Sequence, residues 1–181
     1  MSDYKVKGSS ISSKFDYIEE NYSGEDLEEF KKVIENMIDF PVLDSQWYDF
    51  DVYDKINRTI ARVYFDNDME KLLDVGKHSA ARVLSGVYSA YVRNHDFIAF
   101  LKRISMLHSR FYNKGEMDVD FSKENNSCTI VLHSAPRYPR SDNYIAAGFY
   151  VGAAEICGLK NVSYSINEEK EKVRFELKWE E

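Results

Sequence analysis

The chain is poor in the residues and motifs from which covalent, metal and nucleotide sites are built. Among its 181 residues are two cysteines, Cys128 and Cys157, whose spacing matches neither a disulfide framework nor a C-x-x-C metal site. The sequence also contains no G-x-S-x-G, H-E-x-x-H, G-x-G-x-x-G or P-loop motif. These absences argue against nucleophilic, zinc-dependent and nucleotide-dependent catalysis, so we expect a protein that is not an enzyme. We expect both cysteines to be reduced and buried.

Long apolar runs are also missing. No stretch of about 18 apolar residues occurs, and residues 1 to 14 are polar, so the sequence predicts neither a membrane span nor a secretory signal. We therefore expect a cytoplasmic protein. Apolar residues nevertheless make up 44% of the chain, which is enough to fill one core. With no repeat or linker in view, residues 1–181 are predicted to form a single domain, with a helical part at 1–114 and a sheet-and-helix part at 115–181.

The net charge of −7 is concentrated in one stretch of the chain. Residues 16 to 39 contain nine acidic and two basic side chains, whereas residues 77 to 114 contain seven lysines and arginines and one aspartate. We interpret the two stretches as solvated helix faces. Because nucleic-acid-binding domains usually carry a basic total charge, we expect no nucleic-acid partner.

Apolar residues recur at helical spacing through the first two thirds of the chain. Ile11, Phe15, Ile18 and Tyr22 predict one amphipathic helix. The same spacing predicts a second helix from a capping box at 23–26, a third over 53–63, a fourth and longest over 69–91, and a fifth over 97–111. The stretch 43–50 shows no clear period and is predicted to be a packed connector.

After residue 115 the period changes from 3.6 to 2, which indicates strands. The alternation predicts one hairpin over 117–133 and another over 162–180, separated by a helix over 142–157 that is rich in glycine and alanine. So many small residues predict close packing of that helix, which we expect to be against the sheet. The sequence therefore predicts an α+β fold, in which about five helices precede an antiparallel β-β-α-β-β unit.

Five short sequence segments occur along this order of elements: Val6-Lys-Gly-Ser9, Ser45-Gln-Trp-Tyr48, Gly86-Val-Tyr88, Arg110-Phe-Tyr-Asn-Lys-Gly115 and Val173-Arg-Phe-Glu-Leu177. Together they resemble the vinyl-reductase-like domains and the myxobacterial-type paralogous domain of unknown function, in a broad group that includes haem–nitric-oxide sensors and TRAPP subunits. The resemblance implies a non-catalytic sensory module of a signalling system that binds a small hydrophobic or anionic ligand. Two alternatives stay open: an assembly subunit that acts through a homodimer or a protein partner, and a haem-based gas sensor.

The sequence departs from this group at its cofactor motifs. The haem sensors hold the haem propionates with a Tyr-x-Ser-x-Arg triplet, and the nearest string here, Tyr138-Pro-Arg-Ser-Asp142, does not match it. Ligand-sensing members often carry cysteines around the terminal hairpin, where this chain has Ser165 and Val173. We therefore expect no metal and no cofactor, with haem as the less favoured alternative.

His108 is the one histidine that falls on an apolar stripe, within 97–111. A buried imidazole needs a partner, so His108 is predicted to be either a core histidine bonded to a backbone or hydroxyl group, or a contact for haem or another ligand. Five aromatic residues are predicted either to line a ligand pocket or to pack in the core, because aromatic rings join apolar bodies to polar tips: Trp47, Tyr48, Tyr53, Tyr88 and Tyr91.

Arg137 and Arg140 flank the start of the small-residue helix. The N-terminus of a helix presents unpaired N–H groups, so two guanidinium groups beside it predict a site for a carboxylate or phosphate. In the alternative interpretation Asp142 is itself the anion that caps the helix, and the arginines pair with surface acids.

Overall fold

The computed structural model describes residues 3–86, 88–92, 96–133 and 139–180. It confirms the predicted α+β fold, with seven α-helices and six strands within these residues. The helices are α1 Gly8–Asn21, α2 Glu25–Glu35, α3 Phe50–Tyr64, α4 Leu72–Ser85, α5 Phe97–Leu101, α6 Ile104–Phe111 and α7 Arg140–Ile156. None of the described helices combines the length and the apolar character that crossing a bilayer requires.

Four strands form the predicted antiparallel sheet in the C-terminal third. They are β3 Glu116–Ser122, β4 Ser127–His133, β5 Lys160–Glu168 and β6 Lys172–Glu180, in the spatial order β3-β4-β6-β5. Ile130 of β4 lies between Val119 of β3 and Phe175 of β6. On β4 and β6 alternate residues are buried, so one face of the sheet packs on the core, as the alternation predicts.

A second, two-stranded sheet lies near the N-terminus. Its strands are β1 Lys5–Lys7 and β2 Trp47–Asp49, which pair antiparallel. The connector predicted over 43–50 therefore contains a strand. Three residues are too few to display a period of two, which is why the sequence pattern did not reveal it.

The helices differ from the prediction in length. The predicted fourth helix is α4, which ends at Ser85, and a separate 3-10 turn follows at Ser89–Tyr91. The predicted fifth helix is divided into α5 and α6. Its break lies at Arg103, whose N–H bonds to Phe100 in the tighter i to i+3 pattern. The longest helix is α7, with 17 residues.

The small residues of α7 face another helix, which corrects the expectation that they pack on the sheet. The most extensive contact of α7 is with α4, although α7 also packs on β5 and β6. A Cβ atom on Gly76 of α4 would lie 2.1 Å from the carbonyl oxygen of Ile145, and a Cβ atom on Gly148 would lie 2.0 Å from that of Leu73. The two backbones thus touch at a glycine seam, which we define by Gly76 and Gly148, and this seam fixes α7 between α4 and the sheet.

Candidate functional site

An apolar cavity lies where α1, α4, α6 and the first turns of α7 meet. We call it the His108 cavity. Its apolar walls include Val83, Ile104, Leu107, Ile145, Phe149 and Tyr150. Its cavity volume is about 80 Å³, and the atom-free space within its walls reaches about 600 Å³ when its open mouth is counted. A mostly apolar concave site with a few polar groups is the usual form of a small-molecule site.

His108 lies on the α6 wall of this cavity and is 9% exposed. Burial lowers the pKa of its imidazole to about 4, although a hydrogen bond to the backbone of Lys114 opposes the shift. The ring is therefore neutral at pH 7. Its Nε2 atom lies 3.4 Å from the carbonyl oxygen of Lys114, and its ring stacks on Tyr112 with 4.7 Å between the ring centroids. Both predicted alternatives for His108 thus remain, since it has a backbone partner and also lines a cavity.

Asp142 in the first turn of α7 is buried beside this cavity. Its Oδ1 atom accepts hydrogen bonds from the hydroxyl groups of Tyr53, at 2.9 Å, and Tyr112, at 3.1 Å. Burial raises the pKa of the Asp142 carboxyl to about 6, while the tyrosine hydrogen bonds and the charge of Lys14 act against the rise. Burial also raises the pKa of both tyrosines well above its usual value, so both hydroxyls stay protonated and can donate.

Lys14 of α1 is the buried cation of the cavity wall and is 1% exposed. Its Nζ atom donates to the carbonyl oxygen of Ser10 at 2.7 Å and lies 4.3 Å from the ring centroid of Tyr53. Burial lowers the pKa of the ammonium to about 7, and the negative charge of Asp142 holds it from falling further. A pair of hydroxyls adds to the polar lining, since Ser13 of α1 and Ser79 of α4 both line the cavity and bond to each other at 3.0 Å.

Of the five aromatic residues predicted for the pocket, Tyr53 lines the His108 cavity, whereas Trp47, Tyr48, Tyr88 and Tyr91 lie outside its described lining. Trp47 is half-buried in β2, and the Lys7 ammonium lies 4.1 Å above its ring. Tyr48 accepts a hydrogen bond from the backbone N–H of Leu43 at 2.9 Å. Tyr88 packs on Phe111, with 5.5 Å between the centroids, and so lies behind a residue that lines the cavity. The structure therefore brings Tyr53 to the same cavity as His108 and places the other four aromatic residues elsewhere.

The arginine pair is described in part. Arg140 is exposed at the start of α7, where its guanidinium donates to the Tyr144 hydroxyl at 3.2 Å, and Arg137 lies outside the described residues. Asp142 does not cap the helix, which was its role in the alternative interpretation. The residue that precedes α7 is Pro139, no side chain caps the helix, and the Asp142 carboxylate turns inward to the tyrosines.

Sequence reasoning missed Lys14 and the inward role of Asp142. Lys14 follows Ile11 by three residues and precedes Ile18 by four, so it stands on the same helix face as both. A charged residue inside an apolar stripe was the available signal. Asp142 gave no such signal, because its tyrosine partners come from Tyr53 in α3 and Tyr112 after α6.

No family model and no curated protein matches this chain. Solved structures do match it. A mutant of the H-NOX protein from K. algicida, in the Fe(II) unliganded state, superposes with a TM-score of 0.72 and 16% identity over 97% of each chain. The H-NOX protein from S. oneidensis in the Fe(II)NO ligation state superposes with a TM-score of 0.73 and 12% identity, over 97% of this chain and 100% of that one. A structure from work on heme distortion in the H-NOX family superposes with a TM-score of 0.74 and 13% identity, over 97% of this chain and 96% of that one.

The fold is that of H-NOX domains. The likeness agrees with the fold that the sequence resemblance implied for the broad group that includes haem–nitric-oxide sensors, but nothing in it favours the vinyl-reductase-like domains over the rest of that group. The expectation of no cofactor was wrong, because the matched structures with this fold are named for haem and its iron.

Proposed function

We propose that this chain is a sensory module that binds haem in the His108 cavity, with His108 as the protein ligand to the iron. The observation that carries the proposal is the state of His108, an imidazole kept neutral by burial on the wall of an apolar cavity. A histidine binds a metal through its unprotonated nitrogen, so a pKa of about 4 keeps it ready to bind at any physiological pH. The shared fold with H-NOX domains supports the same assignment.

The donor chemistry of the cavity fits haem. Haem iron is commonly held by one protein histidine, and a metal-bound histidine usually donates its other ring N–H to a carbonyl or a carboxylate. The carbonyl oxygen of Lys114, 3.4 Å from Nε2 of His108, is such an acceptor. Apolar walls suit the faces of a porphyrin. Bound haem would supply an iron atom that takes a diatomic gas such as NO.

The volume of the cavity fits haem only when its walls separate. A volume of about 80 Å³ accommodates a few water molecules, whereas pockets for small molecules usually measure about 300–1,000 Å³. The wall residues that must yield are side chains such as Phe149 and Tyr150 rather than the backbone contacts of the glycine seam. Haem binding should therefore be accompanied by movement of these side chains.

Titration of the purified protein with haem tests the proposal. We expect a sharp Soret band that saturates at one haem per chain, because a single imidazole lines the cavity among the described residues. His108→Ala should lose this band, and added imidazole should restore it by taking the place of the missing ring.

His133→Ala is the matched control. His133 lies on β4, where its Nε2 bonds to Asp118 at 2.9 Å on the sheet and away from the cavity. This variant should keep the wild-type band. A wild-type protein that shows no sharp Soret band, or a His108→Ala protein whose band equals the wild-type band, would contradict the proposal.

A further inference from the structure

The Lys14 ammonium keeps hydrogen-bonding capacity inside the cavity wall. An ammonium has three N–H donors, and the hydrogen bond to Ser10 uses one of them. The ring of Tyr53 lies beneath the charge, but a ring face is a weaker partner than an oxygen anion. Within the described residues no carboxylate lies within 4.0 Å of its nitrogen. A buried cation in this condition is costly to the fold unless an anion meets it.

Asp142 does not supply that contact. Its charge acts on Lys14 from a distance, while its Oδ1 atom accepts hydrogen bonds from Tyr53 and Tyr112. These two hydroxyls come from α3 and from the residue that follows α6. Lys14 itself lines the cavity, so an acceptor on a ligand bound there lies beside this side chain.

We propose that Lys14 binds the carboxylate of a ligand whose apolar body occupies the His108 cavity. The proposal rests on the cavity being the ligand site, as proposed above, but it requires neither iron nor His108. The carboxylate could come from haem, which carries two, or from a free apolar acid with an alkyl or aryl body. The rest of the lining suits the apolar body, since it consists of side chains such as Ile104, Leu107 and Phe149.

Matched probes separate the carboxylate from the apolar body. Octanoate and octanol share one alkyl chain, and isothermal titration calorimetry measures the affinity of each for the intact protein. We expect octanoate to bind wild-type protein about ten- to a hundredfold more tightly, which is the effect of one charge-assisted hydrogen bond. Lys14→Met keeps the length of the side chain without its charge, and it should bind both probes equally. Equal binding by the wild type, or a carboxylate preference that survives in Lys14→Met, would overturn the proposal.

The pH dependence of wild-type binding gives a second test that needs no variant. An anion beside Lys14 raises the pKa of the ammonium above its value of about 7, so binding takes up a proton at higher pH. The other titratable groups that face the cluster do not titrate between pH 7 and 9. Asp142 is already ionised, His108 is already neutral, and Tyr53 and Tyr112 stay protonated. Above pH 7 the affinity for octanoate should fall by up to tenfold per pH unit while that for octanol stays constant, and a flat octanoate profile would contradict the proposal.

Metal-free protoporphyrin IX and its dimethyl ester distinguish the two sources of the carboxylate. If the haem carboxylates are the natural ligand, wild-type protein and His108→Ala should both prefer the free acid to the ester, and Lys14→Met should not. If a free apolar acid is the natural ligand, octanoate alone should show the preference. The haem proposal fails when no Soret band forms, whereas the Lys14 proposal fails when neither acid is preferred, so the two failures are distinguishable.

Discussion

The two ends of α7 meet their neighbours in opposite ways. Its middle and C-terminal turns are rich in glycine and alanine, and they lie against α4 at the glycine seam. Its first turn has three buried polar residues, Ser141, Asp142 and Asn143. Close apolar packing is what the fold needs to hold α7 in place. Buried polar and charged groups add cost to folding, so their presence at one end of the same helix indicates a role other than packing.

The polar end is organised by hydrogen bonds to several elements. The Ser141 hydroxyl donates to Asp54 of α3 at 2.6 Å, and the Asn143 amide donates to Glu168 of β5 at 2.9 Å. Between them Asp142 accepts from two tyrosines. The first turn is thus fixed to α3 and β5 by side chains, and this arrangement holds the Asp142 carboxylate beside the cavity.

Gly148→Ala tests the apolar end and should have the largest effect on stability. Its new Cβ atom would lie 2.0 Å from the carbonyl oxygen of Leu73, a backbone atom that cannot move without shifting α4. We expect the free energy of unfolding, measured with denaturant, to fall by about 3 kcal/mol or more. Gly86→Ala is the control. The nearest atom to its Cβ would be 3.4 Å away, so the loss should be small, and equal losses in the two variants would show that the seam is not the cause.

The seam also marks the limit of what the sequence could predict about the fold. Periodicity identified the long elements, such as α1 and the terminal hairpin of β5 and β6, because each carries several turns or repeats of one pattern. The small residues of α7 predicted close packing but not its partner, since glycines fit against a sheet as well as against a helix. Only the three-dimensional approach of Gly76 to Gly148 identifies α4 as that partner.

The candidate site was predictable to a lesser extent. His108 could be found, because a histidine on an apolar stripe must be buried. Lys14 lies on such a stripe too, which was a signal for it, but a lysine in a helix is usually exposed, and its burial in the structure is what identifies it as part of the site. Tyr53, Tyr112 and Asp142 come from segments up to 89 residues apart in the sequence. A local sequence pattern therefore could not predict that they meet.

The pH dependence of stability tests the burial of His108 and should have the next largest effect. The folded pKa of about 4 lies below the ordinary value of 6.5, so between these values the unfolded chain takes up a proton that the folded protein refuses. Stability contributed by the neutral ring is present above pH 6.5 and is lost as the pH falls towards 4. Relative to His108→Phe, the wild type should lose roughly 3 kcal/mol over this interval. The raised pKa of Asp142 acts in the opposite direction, but it acts in both proteins and cancels in the difference. Parallel denaturation curves at several pH values measure the difference, and equal profiles would mean that His108 is not buried.

Substitution of Lys14 and Asp142 should have the smallest effect on stability. It is nevertheless the most direct comparison with the glycine seam, because it should stabilise the protein rather than destabilise it. Lys14→Met with Asp142→Asn removes both buried charges, and the amide oxygen at position 142 can still accept from Tyr53 and Tyr112. Lys14 and Asp142 are buried charges without a direct contact between them, and replacing buried charges with uncharged groups is often neutral or stabilising, so we expect a gain of about 2 kcal/mol in the free energy of unfolding at pH 7.

Lys77→Met with Glu155→Gln is the matched control for this double variant. It removes a partly exposed ion pair between α4 and α7, with 2.7 Å between Nζ and Oε1, and should change stability by less than about 1 kcal/mol. A gain for the Lys14 pair that comes with a loss of octanoate preference would mean that the fold tolerates these charges for the sake of binding. A clear loss of stability would instead make Lys14 and Asp142 part of the packing, and the two ends of α7 would then serve the same purpose.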